Sequence, residues 1–361
     1  MKRLRLCFIG WADHVHLERW AGYFASQGYE VSVISFSGRG RYPAGVTQHC
    51  IGLDGRGPRW QELRLRYLLW RLKPDLVHVH WAHFAVPVRK TWAGPLVVTA
   101  WGSDVYRRDR FSASQWMALG KALRATEQVT CDSDDLAAVI RAEFKLPVNQ
   151  VETIQWGVDT ELFAPNGADL RAALALEGRE VVLSARNFTP LYNQETVVRA
   201  FALLRTRRPN AFLLMKSYAG DADYIRQIRA LIDEFGLAEH VRILDSMPYE
   251  QMPDLYRTAD VTLSIPHSDA TPMSLLEAMA AGSPCVVCDL PSLREWVVDG
   301  ETGYLVDGTV PEMVAQAMES ALQNDETVGR IRAKARDIVS ERASQRTHMT
   351  KAAVCYESLV N

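Results

Sequence analysis

Residues 260–288, DVTLSIPHSDATPMSLLEAMAAGSPCVVC, carry the pattern on which the fold turns. DVTLSI (260–265) and PCVVC (284–288) are short continuous apolar runs, the form taken by strands buried on both faces of a parallel sheet. Between them Leu275, Leu276 and Met279 recur at helical spacing. Thr271 is a good N-cap and Pro272 suits the first helical position, where its missing N–H would have no partner anyway. Gly282, followed by Pro284, closes the helix. Strand, helix, strand is one right-handed crossover unit. It sets a helix start at a strand's carboxyl end, with free N–H groups expected from about Met273, Ser274 and Leu275, which is a phosphate site in the making. Glu277 lies one turn in, on the face shared by Met273 and Ser274, where a carboxylate can accept two hydrogen bonds from a ribose diol.

The same alternation runs through the chain. LRLCFI (4–9), EVSVIS (30–35), DLVHVH (75–80), PLVVTA (95–100) and QVTC (128–131) read as buried strands, with helical patterns at 14–27, 59–73 and 133–144. REVVLSA (179–185), AFLLMK (211–216), VRIL (241–244), DVTLSI and PCVVC repeat the pattern in the second half. Each half is therefore expected to be a doubly wound α/β domain, the two facing across a cleft with ligands at the strand carboxyl ends. The expected division is 1–165, onto which a C-terminal helix at about 342–361 packs back, and 175–341. The join is placed within 164–178, where APNGADLRAALALEG mixes Pro, Gly and polar residues.

A chain of 361 residues suits two domains, and 48% hydrophobic with 23% charged residues is the composition of an ordinary globular protein. No apolar run approaches the roughly 18 residues of a membrane span. The basic start MKRLRLCFIG has too short an apolar stretch for a signal peptide and reads as the first strand. The six scattered cysteines suit reduced thiols in the cytoplasm, and the lone pair in CVVC is not expected to bind metal. The net charge of −2 hides an asymmetry. Residues 1–165 hold 21 Lys/Arg against 16 Asp/Glu and nine of the ten tryptophans, while the remainder is acidic.

The block SDATPMSLLEAMAAGSPCVVCDLPSLREWVVDGETGYLVDG (268–308) resembles the nucleotide-sugar signature of retaining family 4 glycosyltransferases, of GT-B fold. WGVDTELFAP (156–165), DLVHVH and WGSDVY (101–106) follow in family order. The resemblance implies a glycosyltransferase that takes a nucleoside-diphosphate sugar in its second domain and an acceptor in its first. It further implies that no metal or other cofactor is needed and that the acceptor proton leaves on the diphosphate. It assigns Glu277 to the donor ribose, Asp269 to the sugar hydroxyls, and the segment Thr271, Pro272, Met273, Ser274 and Leu275 to the diphosphate. Arg186 matches the family arginine that meets the diphosphate, so Arg186 and Asp269 are the candidate catalytic residues. Asp269 stands where the family has Glu, Tyr192 where it has Lys, and Trp101 where it often has His; Lys216 is a candidate to supply the missing charge. A GT-B epimerase and a catalytically silent nucleotide-sugar-binding subunit are the alternatives.

On the acceptor side the candidates are Asp13, His14, His83, Trp101 and Asp104. HVHWAH (78–83) could be taken for a metal site, although strand-end histidines are commonly structural. Asp132-Ser133-Asp134 imitates a metal-binding pair of carboxylates but reads better as Ser133 capping a helix. PRWQELRLRYLLWRLK (58–73) interleaves Arg59, Arg64, Arg66, Arg71 and Lys73 with Trp60, Leu63, Tyr67, Leu68 and Trp70. It is either a crossover helix with its apolar side on the sheet or a docking surface for an anionic membrane. The expected partners are thus a nucleotide sugar and a glycan, lipid-linked or small-molecule acceptor, at the inner membrane face or free in the cytoplasm. Nucleic acid is not among them.

Overall fold

The computed structural model describes residues 4–52, 57–216, 220–323 and 325–360. The chain divides into two compact units, Met1–Trp156 with Arg346–Asn361, and Gly157–Gln345. The first unit holds a seven-stranded sheet of β1 (Arg5–Gly10), β2 (Glu30–Ser35), β3 (Val46–Cys50), β4 (Leu76–His80), β5 (Leu96–Thr99), β6 (Gln128–Cys131) and β7 (Val151–Thr153). Their order is β3-β2-β1-β4-β5-β6-β7, and every pairing is parallel. The second unit holds β8 (Glu180–Ser184), β9 (Ala211–Lys216), β10 (Val241–Leu244), β11 (Val261–Ser264), β12 (Cys285–Cys288) and β13 (Tyr304–Val306) in the order β10-β9-β8-β11-β12-β13, again all parallel. Helices fill the crossovers except that from β2 to β3, which is a loop. Strand order reverses at β1/β4 in the first sheet and at β8/β11 in the second, and at such a switch point the loops diverge and leave room for a ligand.

The central strands are sequestered apolar runs: β4 is buried throughout and Leu213 to Met215 of β9 are fully enclosed. Three strands have no counterpart in the sequence reading. β3, β7 and β13 are sheet edges of five, three and three residues. β3 and β7 mix polar with apolar residues, and β13 (Tyr304–Val306) is apolar but only three residues long, too short to stand out as a run.

The chain passes between units at Trp156–Gly157, ahead of the expected 164–178. Val158 ties the following segment into the second unit by donating to Ala343 O (2.7 Å) and accepting from Gln345 N (2.9 Å). Gly157 permits this approach: a Cβ there would sit 2.3 Å from Gln345 Cα. The last helix, Gln345–Val360, returns to the first unit. Its Tyr356 hydroxyl accepts from Trp20 Nε1 (2.7 Å) and is hydrogen-bonded to His78 Nδ1 (2.5 Å). His78 Nε2 in turn lies 2.6 Å from Thr99 Oγ1. His78 is thus a core residue tying the last helix to β4 and β5.

Candidate active site

The loop after β8 and the loop after β11 meet at the second switch point. Ser184 Oγ donates to Gln194 Oε1 (2.8 Å), and Gln194 Nε2 donates to Arg186 O (2.7 Å), which pins the backbone that carries Arg186. The guanidinium donates to Ser274 Oγ (2.8 Å) and to Asp269 Oδ2, and lies 4.3 Å over the Tyr192 ring. Burial is the largest single influence and opposes the Arg186 charge, but Asp269, Tyr192 and Tyr256 together outweigh it and raise the pKa. Asp269 is itself anchored: its Oδ1 accepts from Ala270 N (3.0 Å) and its carbonyl from Ser292 Oγ (2.8 Å). The aspartate expected beside the sugar hydroxyls is therefore also the counter-ion that aims Arg186.

The helix runs Met273–Ala280 and its N-cap is Pro272, one residue later than the expected Thr271. Thr271 turns its hydroxyl to Trp296, whose Nε1 donates to it at 3.4 Å. Pro272 O accepts from Leu275 N (2.9 Å) and Leu276 N (3.3 Å), so the Leu275 N–H is not free for a phosphate as expected. Met273 and Ser274 retain the outward N–H groups of the first turn. The far end closes with Gly282 at φ +80°, where Gly282 N donates to Met279 O (3.1 Å) and Ser283 N to Ala278 O (3.0 Å).

Glu277 is buried at 6% exposure, so it is not a solvated helix residue. Its two oxygens accept from Tyr249 Oη (3.1 Å) and Tyr256 Oη (3.3 Å). Lys216, the last residue of β9, is 9% exposed rather than a solvated strand end. Desolvation lowers its pKa, and the nearby Glu277 charge works against that lowering. Arg186, Lys216, the start of the Met273–Ala280 helix and Glu277 thus lie along the carboxyl edge of one sheet. Tyr249 and Tyr256 were invisible in the sequence, since nothing in a tyrosine more than 20 residues upstream marks it as a partner of Glu277.

In the first unit Asp104 is fully buried, and its oxygens accept from Ala82 N (2.7 Å) and Trp101 N (2.9 Å). It clamps the loops after β4 and β5 and offers no surface to an acceptor. Desolvation pushes its pKa up to about 6 against those two N–H groups. His83 Nε2 meets Asp104 O at 3.1 Å and its ring stacks on Phe111 at 3.7 Å, so His83 too is held by the protein. Asp13 is exposed and His14 half-buried. His14 lies against Trp101, with ring centroids 4.5 Å apart. Among the described residues no group of three or more His, Cys, Asp or Glu could hold a metal ion. In the Asp132–Asp134 stretch, Ser133 Oγ accepts from Leu136 N (3.1 Å) as a helix cap. All six cysteines are unpaired, and Cys288 Sγ donates to Pro266 O (2.9 Å). No helix among the described residues is long and apolar enough to cross a membrane.

Comparison with known proteins agrees with this architecture. Residues 168–338 match the family model for group 1 glycosyl transferases, and residues 14–162 match that for glycosyltransferase family 4. A D-inositol 3-phosphate glycosyltransferase of Corynebacterium diphtheriae is 29% identical over 275 residues, 71% of this chain and 64% of that protein. A GDP-mannose-dependent alpha-(1-6)-phosphatidylinositol monomannoside mannosyltransferase of Mycolicibacterium smegmatis is 28% identical over 63% of each chain. The match therefore spans less than two thirds of the length of these relatives. Among solved structures, Anabaena Alr3699/HepE in complex with UDP and glucose superposes with a TM-score of 0.85 over 99% of this chain and all of that one, at 17% identity. Sucrose-phosphate synthase of Thermosynechococcus elongatus gives 0.88 over 99% of both, at 18% identity. With both halves matched and both sheets of the expected topology, the chain belongs to the family 4 glycosyltransferases of GT-B fold.

Proposed function

We propose that the protein is a retaining glycosyltransferase that moves a sugar from a nucleoside-diphosphate sugar to a hydroxyl of a glycan, lipid-linked or small-molecule acceptor. The observation that carries the reading is the Arg186 cluster at the β8/β11 switch point, with buried Glu277 one helical turn away. Glu277 takes the ribose hydroxyls. The N–H groups of Met273 and Ser274, the Arg186 guanidinium and Lys216 take the diphosphate. In the transfer, the bond from the anomeric carbon to the phosphate oxygen breaks and a bond to the acceptor oxygen forms on the same face of the sugar. The acceptor proton passes to the departing diphosphate, and Arg186 stabilises the charge that builds there. Fixed cations and helix N–H groups meet that charge without a divalent ion, so turnover should survive a chelator. The named activities of the relatives, on D-inositol 3-phosphate and on a phosphatidylinositol mannoside, favour an acceptor that carries a polyhydroxylated ring.

The test is to incubate the protein with UDP- and GDP-sugars, with and without such acceptors, and to follow nucleotide release and sugar identity. Release that rises with acceptor supports transfer. Conversion of the sugar without release supports the epimerase, and binding with neither supports a silent subunit.

The first unit is further proposed to dock on the inner face of a membrane through the helix Pro58–Leu72. Leu65, Leu68 and Leu69 of that helix are buried. The opposite side presents Leu63, Tyr67 and Trp70 at 66%, 52% and 69% exposure, beside exposed Arg59, Arg66, Arg71 and Lys73. Each basic residue near an anionic surface contributes about 1 kcal/mol. Co-sedimentation with anionic and neutral vesicles at low salt tests this. Equal binding to both, or binding unchanged in a Leu63→Glu, Trp70→Glu variant, would overturn it and leave a soluble acceptor.

A further inference from the structure

At the switch point of the first sheet the chain leaves each strand through an indole. Trp11 follows β1, Trp81 follows β4, and Trp101 lies two residues past β5. Trp11 packs 4.6 Å from Trp81, 5.8 Å from Trp101 and 5.4 Å from Phe84, all centroid to centroid. All four side chains are partly open to solvent. Trp81 holds φ +86° and ψ +108°, a backbone state that residues other than glycine rarely adopt, and it is fixed there by donating to Thr99 O at 3.0 Å. Strain of this kind collects where a site has to be shaped.

One polar side chain, His14, borders the indoles, and Asp13 follows Trp11 by two residues on the same loop. Asp13 is exposed and can only accept when ionised. His14 Nδ1 accepts from His16 N (3.3 Å), so in the neutral ring the proton sits on Nε2, which donates to no protein group among the described residues. Burial keeps this ring neutral at physiological pH, with a pKa lowered to about 4. A donor on His14 thus borders a half-open aromatic surface at the ligand-binding end of the sheet, and the exposed Asp13 carboxylate sits on the same loop.

We infer that Trp11, Trp81 and Phe84 form a stacking platform for an uncharged sugar or cyclitol ring of the acceptor, with Asp13 and His14 bonded to its hydroxyls. Such a ring has one face of polarised C–H groups, which suits the negative face of an indole, and a rim of hydroxyls that both donate and accept. The inference rests on the proposed glycosyl transfer and specifies what the acceptor side recognises: the ring face, not a phosphate on it.

Saturation-transfer NMR on the whole protein tests it, with methyl α-D-glucopyranoside, methyl α-D-mannopyranoside, methyl α-D-galactopyranoside and myo-inositol as probes and inorganic phosphate as competitor. At least one ring probe should receive saturation on its C–H protons and should shift the indole N–H resonances of Trp11 and Trp81 with one midpoint. Trp11→Ala and Trp81→Ala should each weaken that probe at least fivefold, Trp11→Phe less than twofold, and UDP or GDP affinity should not change in any variant. Silence of all four probes overturns the inference, as does displacement by phosphate or undiminished binding in the double alanine variant. Should the alanine variants fail to fold, the indole shifts in the parent protein decide, and their absence overturns it. Ring binding without nucleotide binding would sink the transferase reading and leave the platform standing.

Discussion

Glu277→Gln is the most discriminating substitution for the donor site. The glutamine keeps the shape of a side chain that is 6% exposed, but it replaces a charged acceptor with one amide oxygen and an NH2 group. Tyr249 and Tyr256 each donate to one carboxylate oxygen, at 3.1 and 3.3 Å, and a carboxylate offers about four lone-pair directions, so the tyrosines alone do not saturate it. A hydrogen bond to a charged group contributes about 1.5–3 kcal/mol, or roughly a 13- to 160-fold loss of nucleoside-diphosphate affinity on substitution. Some of any loss could come from disturbing the two tyrosines, so affinity alone does not locate the ribose. A cycle does. Isothermal calorimetry with UDP or GDP and with the 2′,3′-dideoxy nucleotide, on parent and Glu277→Gln, isolates the coupling between the carboxylate and the diol. The parent should lose affinity on removal of the hydroxyls, and the variant should lose far less. Equal losses in both proteins would refute the assignment of Glu277 to the ribose, however weak the variant's binding.

Arg186→Ala should lower kcat/KM by about 10²–10³ while leaving nucleoside affinity nearly unchanged, because its charge counts most as the diphosphate departs; steady-state kinetics against nucleoside binding decides. Lys216→Met should abolish a pH dependence present in the parent: burial lowers the Lys216 pKa, so diphosphate affinity should fall with rising pH earlier than an exposed lysine would allow. Acid should unfold the first unit through His78, whose pKa burial lowers to about 3, and His80, lowered well below the ordinary value. Their stabilisation is complete above about pH 6.5 and is lost as pH falls toward the folded values, by up to about 1.4 kcal/mol per unit for each. Tryptophan fluorescence reads that unit, and His80→Leu should flatten the slope without breaking a hydrogen bond, since neither His80 nitrogen has a partner among the described residues. Tyr192→Lys should lower the melting temperature of the free protein and enlarge the gain on adding UDP or GDP; a higher melting temperature without nucleotide would show that Tyr192 does not hold Arg186.

How much of this was legible depended on how local the cause was. The central strands could be read because burial on both faces forces continuous apolar runs, and Ser133 could be read as a cap because its partner, Leu136 N, lies three residues away. β3 and β7 escaped because they are edge strands that keep polar residues, and β13 because three apolar residues make too short a run. Thr271 was misread as the cap because an indole 25 residues later competes for its hydroxyl. Asp104 was placed on the acceptor side by its motif, but the motif carries no sign that Ala82 N lies 2.7 Å from its carboxylate. The family resemblance located Arg186, Asp269 and Glu277; which of them pair with one another, and which tyrosines hold Glu277, are consequences of the crossovers.

Two departures from the family pattern, Asp269 for Glu and Tyr192 for Lys, have one physical connection. A lysine at 192 would set a second cation about where the Tyr192 ring now lies, 4.3 Å from the Arg186 guanidinium carbon. At that separation two unit charges repel by about 4 kcal/mol at an effective dielectric of 20, which a bound diphosphate would offset and an empty site would not. The tyrosine ring instead attracts the guanidinium, by about 0.5–2 kcal/mol. The shorter Asp269 accepts from Arg186 and pairs its charge with the same group, so the one arginine is held by both residues before any nucleotide arrives. Such a site has less positive charge to offer the diphosphate than one that carries both Arg and Lys. It compensates in preorganisation, since the surviving cation needs no reordering when the substrate binds. Lys216, buried at the end of β9 and supported by Glu277, is a second side-chain source of positive charge along this sheet edge. Diphosphate affinity should therefore depend on Lys216 more steeply here than in a chain that keeps the family lysine.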